Sequence, residues 1–297
     1  MNITITGASG FVGTHLSRAL IEKGHRVTGI GTSRVHRYLT HDLFDWVSAD
    51  TTREGDWQES VRSADVVVNL TGKTIFGYWS KAYKDDIYNS RVMTTRHIVE
   101  ALGGIRPGVL LSTSAIGYYG NRGDDELTEE AAPGSDFLAR VCRDWEAAAS
   151  KAEEKGVRVV LMRFGVVLGP GGALEKMIPA FRFFAGGPLG SGAHWFPWIH
   201  MEDIIRAMDM FMDQNTINGP VNLCSPGAIR HRDFARALGR ALNRPSFMPA
   251  PAFMVRMIMG EMGGALLSSQ RAIPQVLLDS GFEFGYDSLE KALKNLV

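Results

Sequence analysis

The feature that most constrains this chain is a glycine-spaced turn directly after its first apolar run. Residues 2–6 follow a β-favouring pattern and lead into Gly7-Ala8-Ser9-Gly10-Phe11-Val12-Gly13, which opens a helical pattern. Glycine permits a tight turn and lets an anionic group approach the backbone at the free N-terminus of a helix. A strand, a glycine turn and a helix in this order predict a dinucleotide site rather than a plain connection.

Three segments supply the predicted cofactor contacts. The glycine turn contributes Gly7, Ser9, Gly10, Phe11, Val12 and Gly13. After the second predicted strand, Thr32, Ser33 and Arg34 stand where an NAD site would carry an acid. An arginine and two hydroxyls attract a 2′-phosphate, whereas an acid would repel it, so the preferred cofactor is NADP(H). The alternative interpretation is that Arg34 is a solvated surface arginine. Leu70, Thr71 and Gly72 after the fourth strand, together with Ser112 and Arg163, complete the predicted set.

The first half of the chain repeats short β-rich runs separated by turns and helical stretches, a pattern typical of βαβ units. Strands are predicted at residues 2–6, 25–30, 46–49, 64–70, 108–113, 157–163 and 221–224. Helices are predicted at residues 10–22, 80–102, 138–155, 202–214, 231–242 and 288–296. The predicted fold class is therefore α/β, a Rossmann doubly wound parallel sheet with a smaller C-terminal α/β substrate lobe.

Beyond residue 169 the texture changes to Gly/Pro-rich loops, which usually form binding surfaces. We predict that residues 1–170 form the NADP(H)-binding Rossmann domain, with a returning segment near 196–225. Residues 171–195 and 226–297 are predicted to form the smaller substrate lobe. The Met-rich stretch at 253–262 is interpreted as packing of that lobe, with a partner surface as the alternative.

Composition excludes several classes of partner. The 32 basic and 32 acidic residues balance, so no net field favours nucleic acid or an anionic membrane. No signal peptide or membrane-spanning run is predicted. Cys142 and Cys224 lie far apart without metal-ligand spacing, so neither a disulfide nor a metal site is expected. We expect a cytoplasmic protein with an unidentified small-molecule substrate, no nucleic-acid or membrane partner, and a homodimer as an open alternative.

Further motifs carry a resemblance along essentially the whole chain. They are Asn69-Leu70-Thr71-Gly72, Leu111-Ser112-Thr113-Ser114-Ala115, Leu161-Met162-Arg163-Phe164-Gly165-Val166-Val167-Leu168-Gly169-Pro170, Trp198-Ile199-His200-Met201-Glu202-Asp203 and, in the tail, Gly260-Glu261-Met262, Leu266-Leu267-Ser268-Ser269-Gln270-Arg271 and Asp279-Ser280-Gly281-Phe282. With the glycine turn, they make the chain resemble the extended short-chain dehydrogenase/reductase superfamily. The closer resemblance is to its atypical branch, the NAD-dependent epimerase/dehydratase-like epimerase family proteins with their own C-terminal domain.

The resemblance implies a Ser or Thr at the end of the fifth strand and a Tyr-x-x-x-Lys pair on the next helix. Ser114 matches the first element, but Leu138 and Cys142 occupy the positions of the pair. Leucine has no proton to transfer, and cysteine lacks the fixed positive charge that lowers a tyrosine pKa. Tyr118 and Tyr119, just past Ser114, are the candidate replacements, with wall residues as the alternative interpretation.

Other charged groups have two interpretations each. Lys73 is the candidate cation beside those tyrosines or a surface lysine. The group His200, Glu202 and Asp203 is interpreted as a helix cap and packing element, since acids are favourable in a first turn. Arg163 and Arg271 are candidates for clamping a substrate anion, and structural salt bridges explain them equally well.

The function predicted from the sequence is an NADP(H)-binding, epimerase-like oxidoreductase. Its substrate would be a small polar metabolite, with sugar derivatives as one class. Ser114, Tyr118 and Tyr119 are its predicted catalytic residues. The alternative is a non-catalytic NADP(H)-binding sensor or regulatory module.

Overall fold

The structure is a computed structural model that describes residues 1–37, 39–103 and 107–297. The strands are β1 (Asn2–Thr6), β2 (Arg26–Gly31), β3 (Phe44–Ser48), β4 (Val66–Asn69), β5 (Val109–Ala115), β6 (Glu126–Leu127), β7 (Arg158–Phe164), β8 (Val166–Gly169), β9 (Trp195–Phe196), β10 (Trp198–His200), β11 (Gly219–Leu223), β12 (Ile229–Arg230) and β13 (Arg271–Ala272). The helices are α1 (Phe11–Glu22), α2 (Trp57–Arg62), α3 (Lys81–Ala101), α4 (Phe137–Ser150), α5 (Gly172–Arg182), α6 (Met201–Asp213), α7 (His231–Ala241), α8 (Ala252–Leu266), α9 (Gln275–Asp279) and α10 (Leu289–Leu296).

Seven strands form the main sheet in the order β11-β7-β5-β4-β1-β2-β3, and each neighbouring pair is parallel. The order reverses direction between β1 and β4. In an open parallel sheet, the crevice at such a reversal, outside the carboxyl ends of the strands, is where ligands bind. The glycine turn after β1 therefore lies at this switch point.

Helices cover both faces of the main sheet. Val66 and Val68 of β4 belong to the core shared with α1 and α6, whereas Val67 belongs to the core shared with α2, α3 and α4. Successive side chains of a strand point to opposite faces, so an uninterrupted Val-Val-Val run requires apolar cover on both sides. The burial pattern thus explains the continuous apolar strands of the sequence.

A smaller α/β region follows the sheet. Phe196 and Trp198 pack with Phe234 of α7 and with Leu289 and Leu293 of α10 in a separate apolar cluster. Short pairs connect this region: β8 with β10, β9 with β12, and β13 with β6. Because β6 comes from the first half of the chain, the last of these pairs fastens the tail to the sheet-bearing part.

The predicted fold class is confirmed, and the structure corrects some of its elements. Residues 169–182, interpreted as the start of a loop region, contain α5, whose two leading glycines and internal Pro179 concealed its helical character. The short helix α2 was also missed. The helix predicted at 138–155 ends at Ser150, and the Met-rich stretch is α8, with non-helical backbone at Gly260 (φ 59°).

None of the helices within residues 1–37, 39–103 and 107–297 combines the length and the apolar character required to cross a bilayer.

Candidate functional site

The glycine turn closes against the loop that follows β4. Gly7 has a φ of 73°, and its N–H donates to the Ile30 carbonyl over 2.9 Å. A Cβ at Gly7 would lie 2.7 Å from the Leu70 carbonyl oxygen and 2.9 Å from the Thr71 nitrogen. Both the backbone conformation and the close approach therefore require glycine at this position.

Helix α1 begins at this turn, and no side chain of the described residues caps it. Gly10 is its N-cap and supplies no side chain to bond the first N–H groups. Gly13 allows α1 to pack tightly, because a Cβ there would lie 2.7 Å from the Ala8 Cα. Ser9 and Gly10 are exposed, and Phe11 and Val12 are half-buried. An uncapped and accessible helix N-terminus is suited to an anionic group.

The segment after β2 presents polar side chains at the same edge of the sheet. Thr32 and Arg34 are exposed, and Arg34 forms no ion pair within the described residues. Ser33 is half-buried, with its hydroxyl donating to the Val35 carbonyl over 3.0 Å and its own carbonyl accepting from the Trp46 indole over 2.9 Å. Thr32 and Arg34 are thus available to a ligand, whereas the Ser33 hydroxyl is engaged in its own turn.

Buried hydroxyls without partners lie along the ends of β4 and β5. The Oγ1 atoms of Thr71 and Thr113 and the Oγ atom of Ser112 are enclosed and lack a hydrogen bond in the part of the chain that the structure describes. Ser112 stands opposite Asn69 in the β4–β5 register. Buried polar atoms normally have partners, so this group indicates contact with a ligand or water. Leu70 and Gly72 flank Thr71 in the same loop.

A buried polar network, which we call the Arg163 network, lies beyond these hydroxyls and consists of Ser114, Tyr119, Glu146, Arg163 and Asn222. Ser114 Oγ donates to Glu146 Oε1 over 2.6 Å. Arg163 donates from Nε to Oε1 and from Nη2 to Oε2 of Glu146, both over 2.8 Å. The side chains of Arg163 and Glu146 are 3% and 9% exposed. This bidentate pair holds Arg163 inside the protein rather than at an open cofactor surface.

The phenol of Tyr119 is enclosed in the same network. Its hydroxyl donates to Asn222 Oδ1 and accepts from Arg163 Nη1, each over 2.8 Å. Burial raises the pKa of Tyr119 to about 12, despite the opposing effect of the Arg163 charge. Burial disfavours the charge on Arg163, but its hydrogen bonds with Glu146 and the charge of that carboxylate outweigh this and raise the guanidinium pKa. Tyr119 is therefore poorly suited to act as a base.

Tyr118 has a different environment. It is half-buried, and the centre of its ring lies 3.6 Å from Arg163 Cζ. Its ring meets that of Tyr119 edge-on, with centroids 5.4 Å apart. Of the two predicted tyrosines, Tyr118 is the accessible one, and it has a fixed positive charge against its ring.

The positions of the missing Tyr-x-x-x-Lys pair lie beside Ser114 and Gly117. A Cβ at Gly117 would lie 3.7 Å from Leu138 Cβ. Cys142 is a buried free thiol, and burial, followed by the Glu146 charge, raises its pKa to about 12. Neither side chain supplies a proton donor or a cation near neutral pH.

The remaining charged candidates have structural partners. His200 is the N-cap of α6, with Nδ1 accepting from the Glu202 N–H, as the capping interpretation expects. The Asp203 carboxylate accepts from the Gly285 and Tyr286 N–H groups over 2.7 and 2.9 Å. Arg271 pairs with Glu126 over 3.0 Å.

Sequence reasoning missed Glu146 and Asn222. Glu146 was identifiable, because it lies on the apolar face of α4 with Cys142, Trp145 and Ala149, which are all buried. A carboxylate on such a face usually has a buried partner. Asn222 offered no comparable signal.

One arrangement was not expected. Glu54, His97 and Glu100 bring potential metal-ligand atoms within 4.8 Å of one another. Both glutamates are exposed, and exposed carboxylates often cluster without an ion.

The chain is similar to known proteins along its whole length. A model of the NAD dependent epimerase/dehydratase family matches residues 3–224, and a domain of unknown function, DUF1731, matches residues 250–296. The chain belongs to the NAD-dependent epimerase/dehydratase family. Within this family, it is 37% identical over 302 residues to the chloroplastic epimerase family protein SDR39U1 homolog of Arabidopsis thaliana, covering 100% of this chain and 87% of that one. It is 35% identical over 301 residues to the epimerase family protein YfhF of Bacillus subtilis, covering 100% and 98%.

Solved structures of epimerases share the fold. The crystal structure of human epimerase family protein SDR39U1 (isoform 2) with NADPH has a TM-score of 0.86 and 30% identity, covering 100% of this chain and 99% of that one. UDP-glucuronic acid 4-epimerase from Bacillus cereus in complex with NAD has a TM-score of 0.79, covering 100% and 97%, and its 18% identity supports the fold alone. The resemblance inferred from the motifs is confirmed.

Proposed function

We propose that this epimerase family protein is an NADP(H)-dependent oxidoreductase acting on a small polar metabolite, with sugar derivatives as one candidate class. The observation that carries the proposal is the preformed glycine turn, with its uncapped helix start at the switch point of the sheet. The residues fit a dinucleotide, because Thr71 and Ser112 add buried hydroxyls without partners in the described chain. The human relative crystallised with NADPH supports the same cofactor.

The preference for NADP(H) over NAD(H) rests on the segment after β2. Arg34 is exposed and unpaired among the described residues, and Thr32 is exposed beside it. A guanidinium recognises a phosphate by charge-assisted hydrogen bonds, whereas the acid of an NAD site would repel it. We therefore assign the 2′-phosphate to Arg34 and Thr32, with Ser33 contributing through its turn.

In the proposed reaction, the bound cofactor would supply or accept a hydride. Ser114 donates its one proton to Glu146, so its oxygen can accept a hydrogen bond from the hydroxyl that forms when a substrate carbonyl is reduced. Tyr118 is the proposed proton donor, because it is accessible and adjacent to the Arg163 guanidinium. Tyr119 is proposed to hold Arg163 in place rather than to transfer a proton.

One observation favours a second function, a non-catalytic NADP(H) sensor. The members of the Arg163 network satisfy one another, and Ser114 is only 1% exposed. Leu138 and Cys142 occupy the usual acid/base positions, and neither side chain can transfer a proton there as the tyrosine and lysine would. A sensor would keep the nucleotide site and show no hydride transfer.

The experiment that separates the two functions is deuteride transfer from stereospecifically labelled NADPH to a panel of carbonyl metabolites and nucleotide sugars. The parent is compared with Ser114→Ala and Tyr118→Phe, each first checked for NADPH affinity. An oxidoreductase places label in one product, and the variants lower turnover with little change in affinity. Tight NADPH binding with no transfer to any member of the panel would favour the sensor.

A further inference from the structure

A group of three potential metal ligands joins the loop between β3 and α2 to helix α3. We call it the His97 cluster; it consists of Glu54 from that loop and of His97 and Glu100 from α3. A nitrogen of the His97 ring lies within 4.8 Å of a carboxylate oxygen of each glutamate. His97 and Glu100 are three residues apart in the helix, so they share one of its faces. The cluster uses none of the residues proposed for the nucleotide or for proton transfer.

The buried imidazole distinguishes this cluster from a chance pair of surface acids. His97 is only 8% exposed. Its Nδ1 donates to the Thr51 carbonyl over 3.2 Å. A carbonyl can only accept, so Nδ1 carries the ring proton and Nε2 keeps the lone pair. Among the described residues Nε2 has no hydrogen-bond partner, and a buried acceptor of this kind normally has one.

Hydrogen bonds around the imidazole hold it in place. Gln58 Nε2 donates to the His97 carbonyl over 2.9 Å, and the hydroxyls of Thr51 and Thr94 lie 2.9 Å apart. Together with the bond from His97 to Thr51, these contacts fix α3 against the loop that carries Glu54. A metal-binding histidine usually donates its other ring N–H to a carbonyl or a carboxylate, which fixes the tautomer and the orientation of the ring. His97 has this arrangement.

The two carboxylates supply the negative charge that a cation needs. Glu54 and Glu100 are exposed, and neither side chain forms an ion pair or a hydrogen bond in the part of the chain that the structure describes. Their charges repel each other, and a divalent ion between them would remove the repulsion. Ligand atoms on a tetrahedral zinc ion lie about 3.3–3.6 Å apart, since each bond is about 2.0–2.2 Å long. Exposed glutamates can close the remaining distance by a change of rotamer.

We propose that the His97 cluster binds a divalent first-row transition-metal ion such as Zn²⁺. Zinc accepts imidazole and carboxylate ligands, and three protein ligands leave one position for water. Mg²⁺ and Ca²⁺ favour oxygen ligands, so the imidazole selects against both. The ion would link α3 to the loop after β3, which is the edge strand of the main sheet, and would stabilise the folded chain by binding it.

Calorimetric titration of the metal-free protein, without any nucleotide, tests the proposal. ZnCl₂ and MgCl₂ are each titrated near neutral pH into the parent and into His97→Asn. Asparagine keeps an N–H donor for the Thr51 carbonyl but has no counterpart of the imidazole Nε2. The matched control is His41→Asn, which removes an exposed imidazole outside the cluster.

We expect the parent to bind one Zn²⁺ per chain and to bind Mg²⁺ at least about tenfold more weakly. His97→Asn should weaken zinc binding at least about tenfold, and His41→Asn should leave it within about twofold. A parent that binds no zinc, or equal zinc affinities of the parent and His97→Asn, would overturn the proposal. Equal affinities of the parent for the two ions would overturn it as well, because carboxylates alone would then account for the binding.

The glutamates provide a test that does not depend on the folding of His97→Asn. Glu54→Gln and Glu100→Gln change exposed side chains, so both should fold, as circular dichroism reports. Each should weaken zinc binding at least about tenfold, whereas Glu154→Gln, at an exposed acid outside the cluster, should not. X-ray absorption of the zinc-loaded parent should show outer-shell scattering from one imidazole. A spectrum of oxygen ligands alone, or parent-like zinc affinity in both glutamine variants, would refute the site.

Discussion

Replacing Glu146 by glutamine should lower the free energy of unfolding, because it leaves the buried Arg163 guanidinium without its counter-ion. The carboxylate accepts two hydrogen bonds of 2.8 Å from Arg163 and one of 2.6 Å from Ser114. The side chains of the pair are 3% and 9% exposed. Removing one partner of such a pair leaves an uncompensated buried charge, with a loss of about 3–5 kcal/mol. Glutamine keeps one acceptor oxygen, so we expect about 3 kcal/mol.

The assay is urea unfolding followed by tryptophan fluorescence and circular dichroism, with the unfolding free energy taken from coincident transitions. The matched control is Glu59→Gln, which removes a carboxylate from an exposed pair with Arg62 at 3.1 Å. Exposed pairs contribute little, so this change should stay below about 1 kcal/mol.

A double variant tests the origin of the loss. If Glu146→Gln is destabilising because Arg163 is left charged and unpaired, then adding Arg163→Met should recover part of the expected sum of the two single losses. A loss below about 1 kcal/mol for Glu146→Gln, or strict additivity in the double variant, would refute the buried-pair reasoning.

Three further predictions concern the nucleotide site and the C-terminal region. Arg34→Glu should lower the affinity for NADPH relative to NADH, because an acid repels the 2′-phosphate, and fluorescence titration with both cofactors measures the ratio. Gly10→Val should abolish NADPH binding while the protein still folds, because a Cβ at Gly10 meets only the Gly7 carbonyl at 3.1 Å; calorimetry and circular dichroism report the two properties. Burial, followed by the charge of His194, lowers the pKa of His231 to about 4, so the unfolded state binds more protons below pH 6.5. The contribution of His231 to stability should thus fall by up to about 1.4 kcal/mol per pH unit between pH 6.5 and 4, and His231→Gln should flatten this part of a urea-unfolding pH series.

Each of these has an outcome that contradicts it. Equal NADPH-to-NADH ratios before and after Arg34→Glu would remove that residue from phosphate recognition. Parent-like NADPH affinity in Gly10→Val would place the pyrophosphate elsewhere. The same pH dependence in the parent and in His231→Gln would assign the acid sensitivity to other groups. The half-buried His194 and the buried His200 are the first of these, because burial lowers their pKa values as well.

The glycine turn, on which the proposed nucleotide site rests, was predictable from the sequence because its parts are local. Gly7, Gly10 and Gly13 lie within one strand-turn-helix segment, and their spacing records the backbone geometry directly. The strands were equally predictable, since a strand buried on both faces has a short continuous apolar sequence such as Val66 to Val68.

The interior of the site was not predictable in the same way. Ser114 and Glu146 are 32 residues apart, and Tyr119 and Asn222 are 103 apart. No sequence pattern specifies which polar side chains form hydrogen bonds with one another over such separations. Arg163 looked like a ligand clamp or a salt bridge, and only the tertiary structure shows its bidentate bond to Glu146.

The last strand of the main sheet also has a consequence for biosynthesis. Within residues 1–37, 39–103 and 107–297, β11 pairs with β7 alone, and Asn222 of β11 bonds the Tyr119 hydroxyl and the Leu127 and Ile273 carbonyls. While the ribosome still holds residues 219–223, β7 is an edge strand with unpaired backbone groups. The nascent chain therefore exposes an unpaired strand edge while more than fifty further residues are synthesised after β7. During that interval the edge can pair with another chain, and a chaperone that covers it would prevent aggregation.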